Sequence, residues 1–193
     1  MAATDKILLG HGSGGKLMHA LIQEYFNPAF GNAGAGDSAI VDVPTKRLAY
    51  TTDSYVVSPL FFPGGNIGDL AVCGTVNDLS VAGAEPLYLT AGFIIEEGFP
   101  LSDLKTIIAS MASAAKLAGI TIVAGDTKVV NKGKADGIFI NTSGIGTLKD
   151  GISISPANIR EGNAVIISGE LGNHGVAILA ERNGLTFDPP IKS

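Results

Sequence analysis

The sequence is poor in cysteine and in charge, and it has no long apolar run. One cysteine, Cys73, in 193 residues excludes an internal disulfide framework and is too few for a zinc site. Charged residues make up only 16%, too little for a disordered chain. The formal net charge of −5 gives no reason to expect a nucleic-acid or anionic-membrane partner. The richest apolar stretch, LAVCGTVNDLSVAGAEPLYL, is broken by Asn77, Asp78 and Glu85, so no segment reads as a membrane span. The start, MAATDKILLG, has no basic residues followed by an apolar core and does not read as a secretory signal. These absences leave a soluble, cytoplasmic protein as the expectation. Hydrophobic residues, at 46%, are ample for one full domain, or one domain and part of another.

The apolar pattern divides the chain into elements. KLMHALIQEYF (16–26) has a helical period. SAIVDV (38–43) and RLAYTTD (47–53) read as short strands around the turn PTK. Residues 66–84 read as a helix with Asn66 as N-cap and Asp69 three residues later, a weak capping box. PLYLTAGFIIE (86–96) reads as a buried strand. Residues 101–119 form the clearest helix, with Ser102 expected as N-cap, Gly119 closing it, and Leu104, Ile107, Ile108 and Met111 as core. ITIVAGD (120–126) and IFINTSGIGTL (138–148) read as strands. This order predicts an α+β domain over 1–150, a mixed or antiparallel sheet with helices on one face. NAVIISG (163–169) reads as a strand and 173–184 as a helix. One strand and one helix cannot bury a core, so residues 151–193 are expected to be the incomplete start of a second α+β domain.

Four polar stretches interrupt this pattern. GHGSGGKL (10–17) nearly fits a phosphate-binding P-loop, but Leu17 stands where a metal-binding Ser or Thr belongs. Glycines before a helix can still lay backbone N–H groups over phosphates; a flexible lead into a helix is the plainer alternative. Asp37 opens one predicted strand and Asp53 closes the next; paired as a hairpin, they would offer two carboxylates to a hard cation such as Mg2+, although Asp also favours turns for its own reasons. Asn77 and Asp78 interrupt an otherwise apolar helix, either as a functional pair or on its solvated side. Asp126, Thr127 and Lys128 follow an apolar strand with an acid, a hydroxyl and a cation suited to phosphate, or mark a strand running to the surface. Cys73 is expected to be a buried, inert thiol and His19 a helix-surface residue. His11 and His174 border glycines, from which either could reach a phosphate.

Taken together, HGSGGK, the block TTDSYVVSPLFFPGGNIGDLAVCGTVNDLSVAGAEPLYL, AGDTKVV and GELGNHGVAILAERNGL closely resemble the HypE family of hydrogenase maturation proteins, in the superfamily of aminoimidazole ribonucleotide synthetase and selenophosphate synthetase. The resemblance spans about residues 7 to 185. It implies a homodimer whose amino-terminal sheets join into a barrel, with ATP bound between two domains and across the dimer. It makes Gly12, Ser13, Gly14 and Gly15 a flap over the ATP phosphates. It places the magnesium-binding acids on Asp37, Asp53 and Asp78, with Asn77 beside the nucleotide and Asp126, Thr127 and Lys128 on the phosphate side. Lys128 and Asp78 are the implied catalytic residues.

The implied reaction is ATP-dependent dehydration of a carboxamide, carried on the protein's own C-terminal cysteine, to a thiocyanate for the cyanide ligands of [NiFe] hydrogenase. The implied partners are the carbamoyltransferase HypF and the HypC–HypD complex. This sequence departs from the family in lacking that cysteine and most of the second domain, and in having Asn173 where many relatives have Asp. It therefore reads as a truncated form that would not complete a turnover alone. The alternatives are another ATP-using synthetase or kinase of the superfamily, or a non-catalytic dimeric docking module.

Overall fold

A computed structural model describes residues 5–31, 43, 47–148 and 150–193. In chain order these form a 3-10 turn (Leu9–Gly12), α1 (Lys16–Leu21), a π turn (Ile22–Phe26), α2 (Asn27–Phe30), β1 (Leu48–Tyr55), β2 (Phe61–Phe62), β3 (Gly65–Asn66) and α3 (Ile67–Val81). They continue through β4 (Ala84–Glu96), α4 (Leu101–Ala118), β5 (Thr121–Val130), β6 (Ile138–Leu148), a 3-10 turn (Pro156–Asn158) and α5 (Asn173–Asn183). The main sheet has the order β1-β6-β4-β5. β6 runs antiparallel to β1 and β4; β4 and β5 are parallel, as the crossover through α4 requires. The α+β architecture expected from the sequence is the one observed.

Alternation places the core on one face of this sheet. Leu89, Ala91, Phe93 and Ile95 of β4 and Ile138 and Ile140 of β6 are buried against α3 and α4. α4 answers with Leu104, Ile107, Ile108 and Met111, all at most 1% exposed and spaced three or four apart. Its left-handed stop is Gly119, with φ +70°. α3 begins as expected: the Asn66 side chain accepts from Gly68 N–H at 2.8 Å, and Asp69 Oδ2 accepts from Asn66 N–H at 2.9 Å. Asn66 Nδ2 also donates to Ser110 Oγ at 2.6 Å, tying that cap to α4.

Several expectations are corrected. Pro100, not Ser102, is the N-cap of α4; the Ser102 hydroxyl turns to Asp103 Oδ1. The helix from Lys16 does not stop at 26 but runs through the π turn to Phe30. β5 does not end at Asp126; it continues to Val130 because β4 supplies a partner as far as Glu96. Residues 163–169 are not a strand: no strand pairs with them among the described residues, and Val165 and Ile166 are 93% and 87% exposed. Cys73 is exposed, not buried. The expected strand 38–43 lies almost wholly outside the described residues, as does the turn 44–46; among the described residues β1 pairs with β6.

Candidate functional site

Asp53 faces the helix side of β1, where Asp78 of α3 is tied to the same strand. Thr51 and Tyr55 flank Asp53 at two-residue spacing, so the three share a face. Thr51 Oγ1 donates to Asp78 Oδ2 at 3.0 Å, which brings the carboxylate of α3 onto this strand. Both acids are exposed, and among the described residues neither is paired with a lysine or arginine. Asn77 is exposed beside them. The interruption of α3 thus falls on its solvated side, but with a carboxylate held by a neighbouring strand.

Below them runs a buried line of hydroxyls. Tyr55 Oη shares a hydrogen bond with Thr75 Oγ1 at 3.0 Å, Thr75 Oγ1 another with Thr142 Oγ1 at 2.5 Å, and Thr142 Oγ1 donates to Ala71 O at 2.9 Å. Thr142 is opposite Asp53 in the β1–β6 register. Burial pushes the Tyr55 hydroxyl up to about 12, and the adjacent Asp53 charge adds to the shift. These hydroxyls fix β1 against α3 and hence the two acids above; nothing in the sequence marks them, because Thr75 and Thr142 look like ordinary helix and strand filler.

At the other edge of the sheet, Asp126 and Lys128 are exposed while Thr127 between them is buried. Asp126 is level with Gly92 of β4, which is level with Asn141 of β6. Asn141 Nδ2 donates to Ser54 Oγ at 3.0 Å, so this row lies on the sheet face away from the helices. Asp126 and Lys128 therefore point to the open face, and Thr127 to the helix side. Lys128 sits within β5 rather than after it.

The glycine-rich stretch lies along this same edge. A Cβ on Gly12 would stand 2.5 Å from Val129 N, a contact only glycine permits. Gly14 turns the chain with φ +76°, and Ser13 to Leu17 are exposed. Leu17 folds back over Gly10, which is its role in place of a metal-binding hydroxyl. His11 is buried, with Nδ1 accepting from Leu8 N–H, so that nitrogen is not offered to a phosphate. His19 is on the helix surface as expected. His174 is exposed and shares a hydrogen bond with Ser193 Oγ at 2.9 Å.

The structure thus seats Gly12 on Val129 of β5, the strand that carries Asp126 and Lys128, and ties Asp78 to Thr51, two residues from Asp53, but does not bring the two groups together. Three strand spacings separate β1 from β5, roughly 14 Å, and the groups occupy opposite faces. Asp37 lies outside the described residues. Among the described residues no three His, Cys, Asp or Glu side chains converge to hold a metal, and no helix is long and apolar enough to cross a membrane. Asp53 and Asp78 nonetheless suit a hard cation in donor type: exposed carboxylates with no lysine or arginine partner among the described residues.

The open face carries apolar residues around a polar middle. Tyr50 is 74% exposed, and Val56 and Ile94 are exposed as well. Between them lie Thr52, Ser54, Asn141 and Ser143, linked by hydrogen bonds of 2.9–3.3 Å.

Residues 35–148 match the family of AIR synthase related proteins, N-terminal domain. The chain is 55% identical over 194 residues to a carbamoyl dehydratase HypE of Rhizobium leguminosarum bv. viciae, covering 99% of this chain and 55% of that protein. It superimposes on a crystal structure of the hydrogenase maturation protein HypE in complex with ATP with a TM-score of 0.90, at 50% identity, over 93% of this chain and 54% of that one. A HypE–HypF complex matches with a TM-score of 0.74 at 55% identity, over 93% of this chain and 57% of that one. The chain spans about half the length of the curated relatives it matches.

Proposed function

The chain belongs to the AIR synthase-related family, and from that premise we propose that it is the amino-terminal, ATP-binding part of a HypE-type carbamoyl dehydratase acting in hydrogenase maturation. The observation that carries this reading is the 0.90 TM-score match, at 50% identity, to a HypE bound to ATP. The close approach of Gly12 to Val129 of β5, the strand that carries Asp126 and Lys128, supports it from the residues.

In this reading residues 1–150 form the nucleotide and dimerisation domain, and 151–193 begin a second one. The flap, Gly12, Ser13, Gly14 and Gly15, covers the ATP phosphates, with Asp126 on the phosphate side, the buried Thr127 serving there through its backbone alone, and Asn77 beside the nucleotide. Asp37, Asp53 and Asp78 hold Mg2+, which neutralises phosphate charge when bound. The carboxamide oxygen of a C-terminal thiocarbamate attacks the γ-phosphorus of ATP and ADP departs. A base, with Asp78 as candidate, takes the nitrogen protons, phosphate leaves with the former amide oxygen, and a thiocyanate remains. Lys128 offers a compact cation to the charge that grows on the transferred phosphoryl group.

The sheet-wide separation of Asp53 and Asp78 from Lys128 supports a composite site. One protomer supplies the acids and the second supplies the flap and Lys128. A homodimer formed through the open face would cover the exposed Tyr50, Val56 and Ile94. The HypE–HypF complex supports a carbamoyltransferase of the HypF kind as partner, and the family likeness extends the proposal to a HypC–HypD complex and a cytoplasmic setting.

The test is calorimetric titration of ATP with Mg2+ into the wild-type chain and the Lys128→Ala variant. It is paired with mass spectrometry of water loss from the carbamoylated C-terminal peptide in a protein of the relatives' full length. Lys128→Ala should keep most ATP affinity and slow dehydration by about a hundredfold. Wild-type dehydration by Lys128→Ala removes the lysine from the chemistry. Mg-ATP binding without any dehydration in the full-length protein favours another synthetase of the superfamily, and no nucleotide binding in either length favours a docking module.

A further inference from the structure

The flap has a fixed root and a free tip. Asp5 to Ile7 is stitched to the turn after β4: Ile7 N–H donates to Phe99 O at 2.8 Å, Gly98 N–H to Ile7 O at 2.7 Å, and Leu101 N–H to Asp5 O at 3.0 Å. Ile7 is fully buried. The 3-10 turn follows, and its His11 ring is turned inward at 7% exposure. His11 N–H donates to Leu8 O at 2.9 Å, and Leu8 N–H donates back to His11 Nδ1 at 2.9 Å. A ring that accepts at Nδ1 carries its proton on Nε2. The next residue, Gly12, lies against the backbone of Val129, and Ser13 Oγ donates to Gly10 O at 2.9 Å. Beyond that point, Ser13 to Leu17 are exposed.

We infer that His11 is a positioning residue that locks the root of the flap, so that Gly12 docks on β5 and the exposed tip is presented to the nucleotide phosphates. The inference rests on the ATP-binding reading above and goes beyond it by assigning the buried histidine a role that does not touch the ligand. Two properties are required at this position. One is a ring-sized body that fills the space under the turn. The other is an acceptor two bonds from Cβ that takes the Leu8 N–H. Without that acceptor the Leu8 amide loses its partner and the turn opens, costing the tip its preorganised geometry. Phenylalanine keeps the body and removes the acceptor. Asparagine keeps an acceptor oxygen in the place of Nδ1 and removes most of the body.

The test uses His11→Phe and His11→Asn in this chain, read by amide hydrogen exchange without nucleotide and by calorimetric titration of Mg-ATP. His11→Phe should exchange about fivefold faster at residues 8–15 and bind Mg-ATP about fivefold more weakly, the size of one lost hydrogen bond. Its melting temperature and its exchange in β4 and α4 should match the wild type. His11→Asn should stay within about twofold of wild type on both readings. Wild-type exchange in His11→Phe, or a His11→Asn that loosens the flap as much as His11→Phe does, overturns the lock. Fast exchange with unchanged Mg-ATP affinity overturns the positioning role. A wild-type chain that binds no Mg-ATP overturns the nucleotide reading, and the exchange comparison alone then decides whether His11 locks the turn.

Discussion

Ile95 and Ile140 are sealed between a sheet and two helices, whereas Val165 and Ile166, residues of the same kind in an equally apolar run, stand almost wholly in solvent. Residues 84–96 have hydrogen-bonded neighbours on both sides and α3 and α4 over one face. Among the described residues, 163–169 have neither. An apolar, β-branched stretch has a preference for extended backbone, but that preference becomes a strand only when another strand takes its N–H and C=O groups and something covers its side chains.

The same truncation made in both regions should have very different consequences. Ile107 of α4 is fully buried between α3 and the sheet. Ile107→Ala should cost about 3 kcal/mol through lost burial and the cavity left behind. Ile166→Ala should change stability by less than about 0.5 kcal/mol, because its side chain loses no contacts. Urea unfolding followed by far-UV circular dichroism measures both. Similar shifts of the two midpoints would mean that residues 163–169 are packed in solution.

Most of the fold was legible because its signals are local. The period of Leu104, Ile107, Ile108 and Met111, the Asn66–Asp69 cap and the glycine at 119 each act within a turn or two of helix, and each was found where expected. The errors came where the outcome depends on a distant partner. β5 runs past Asp126 because β4 continues beside it, and 163–169 is not a strand because no described residue pairs with it. The same holds for the candidate site. Sequence marks Asp53, Asp78, Asp126 and Lys128 as polar interruptions. It does not show that Thr51 draws Asp78 to β1, or that a whole sheet width separates the two acids from Lys128.

A second substitution should change sign between the regions. Gly68 sits where α3 crosses α4; a Cβ there would stand 2.4 Å from Ile107 O and 3.0 Å from Met111 Cγ. A backbone carbonyl cannot step aside, so Gly68→Ala should destabilise by about 2 kcal/mol. Gly175 in α5 has nothing within 4 Å of such a Cβ. Gly175→Ala should instead stabilise the helix by about 0.5–1 kcal/mol, through lower unfolded-chain entropy and better helix propensity. Thermal melts and amide exchange in α5 check the pair; destabilisation by Gly175→Ala would show a hidden neighbour for that helix.

Alkaline pH tests the buried hydroxyl line of the first region alone. Tyr55 is held at about 12, above the ordinary 10. Its neutral form is favoured by the fold, so the stability it contributes is fully present below pH 10 and is lost as pH rises towards 12. Tyr55→Phe removes this titration. Its urea midpoint should fall less steeply than that of the wild type between pH 10 and 12, whatever its starting value. Parallel curves for the two proteins would place the Tyr55 hydroxyl in water.

The smallest expected effect compares two irregular segments, 131–137 between β5 and β6 and 163–171 in the second region. The first is clasped. Glu96 at the end of β4 accepts from the N–H groups of Gly133 and Gly137, the latter at 3.2 Å. These backbone donors hold its carboxyl below the usual range, with Lys132 adding to the shift. Because the folded-state value is lowered, the clasp is present above the ordinary carboxylate range and is lost as pH falls through the lowered value. Glu96→Gln keeps an acceptor oxygen but removes the charge, so it should raise exchange at Gly133 and Gly137 at neutral pH and abolish the acid dependence of that exchange. Residues 163–171 should show no protection relative to the intrinsic exchange rate in either protein at any pH. Because Glu96 clasps only a surface loop, global stability should barely move, and the loop amides are the readout. Equal protection of Gly133 and Gly137 in wild type and Glu96→Gln would mean that the hairpin itself, not the carboxylate, orders the turn.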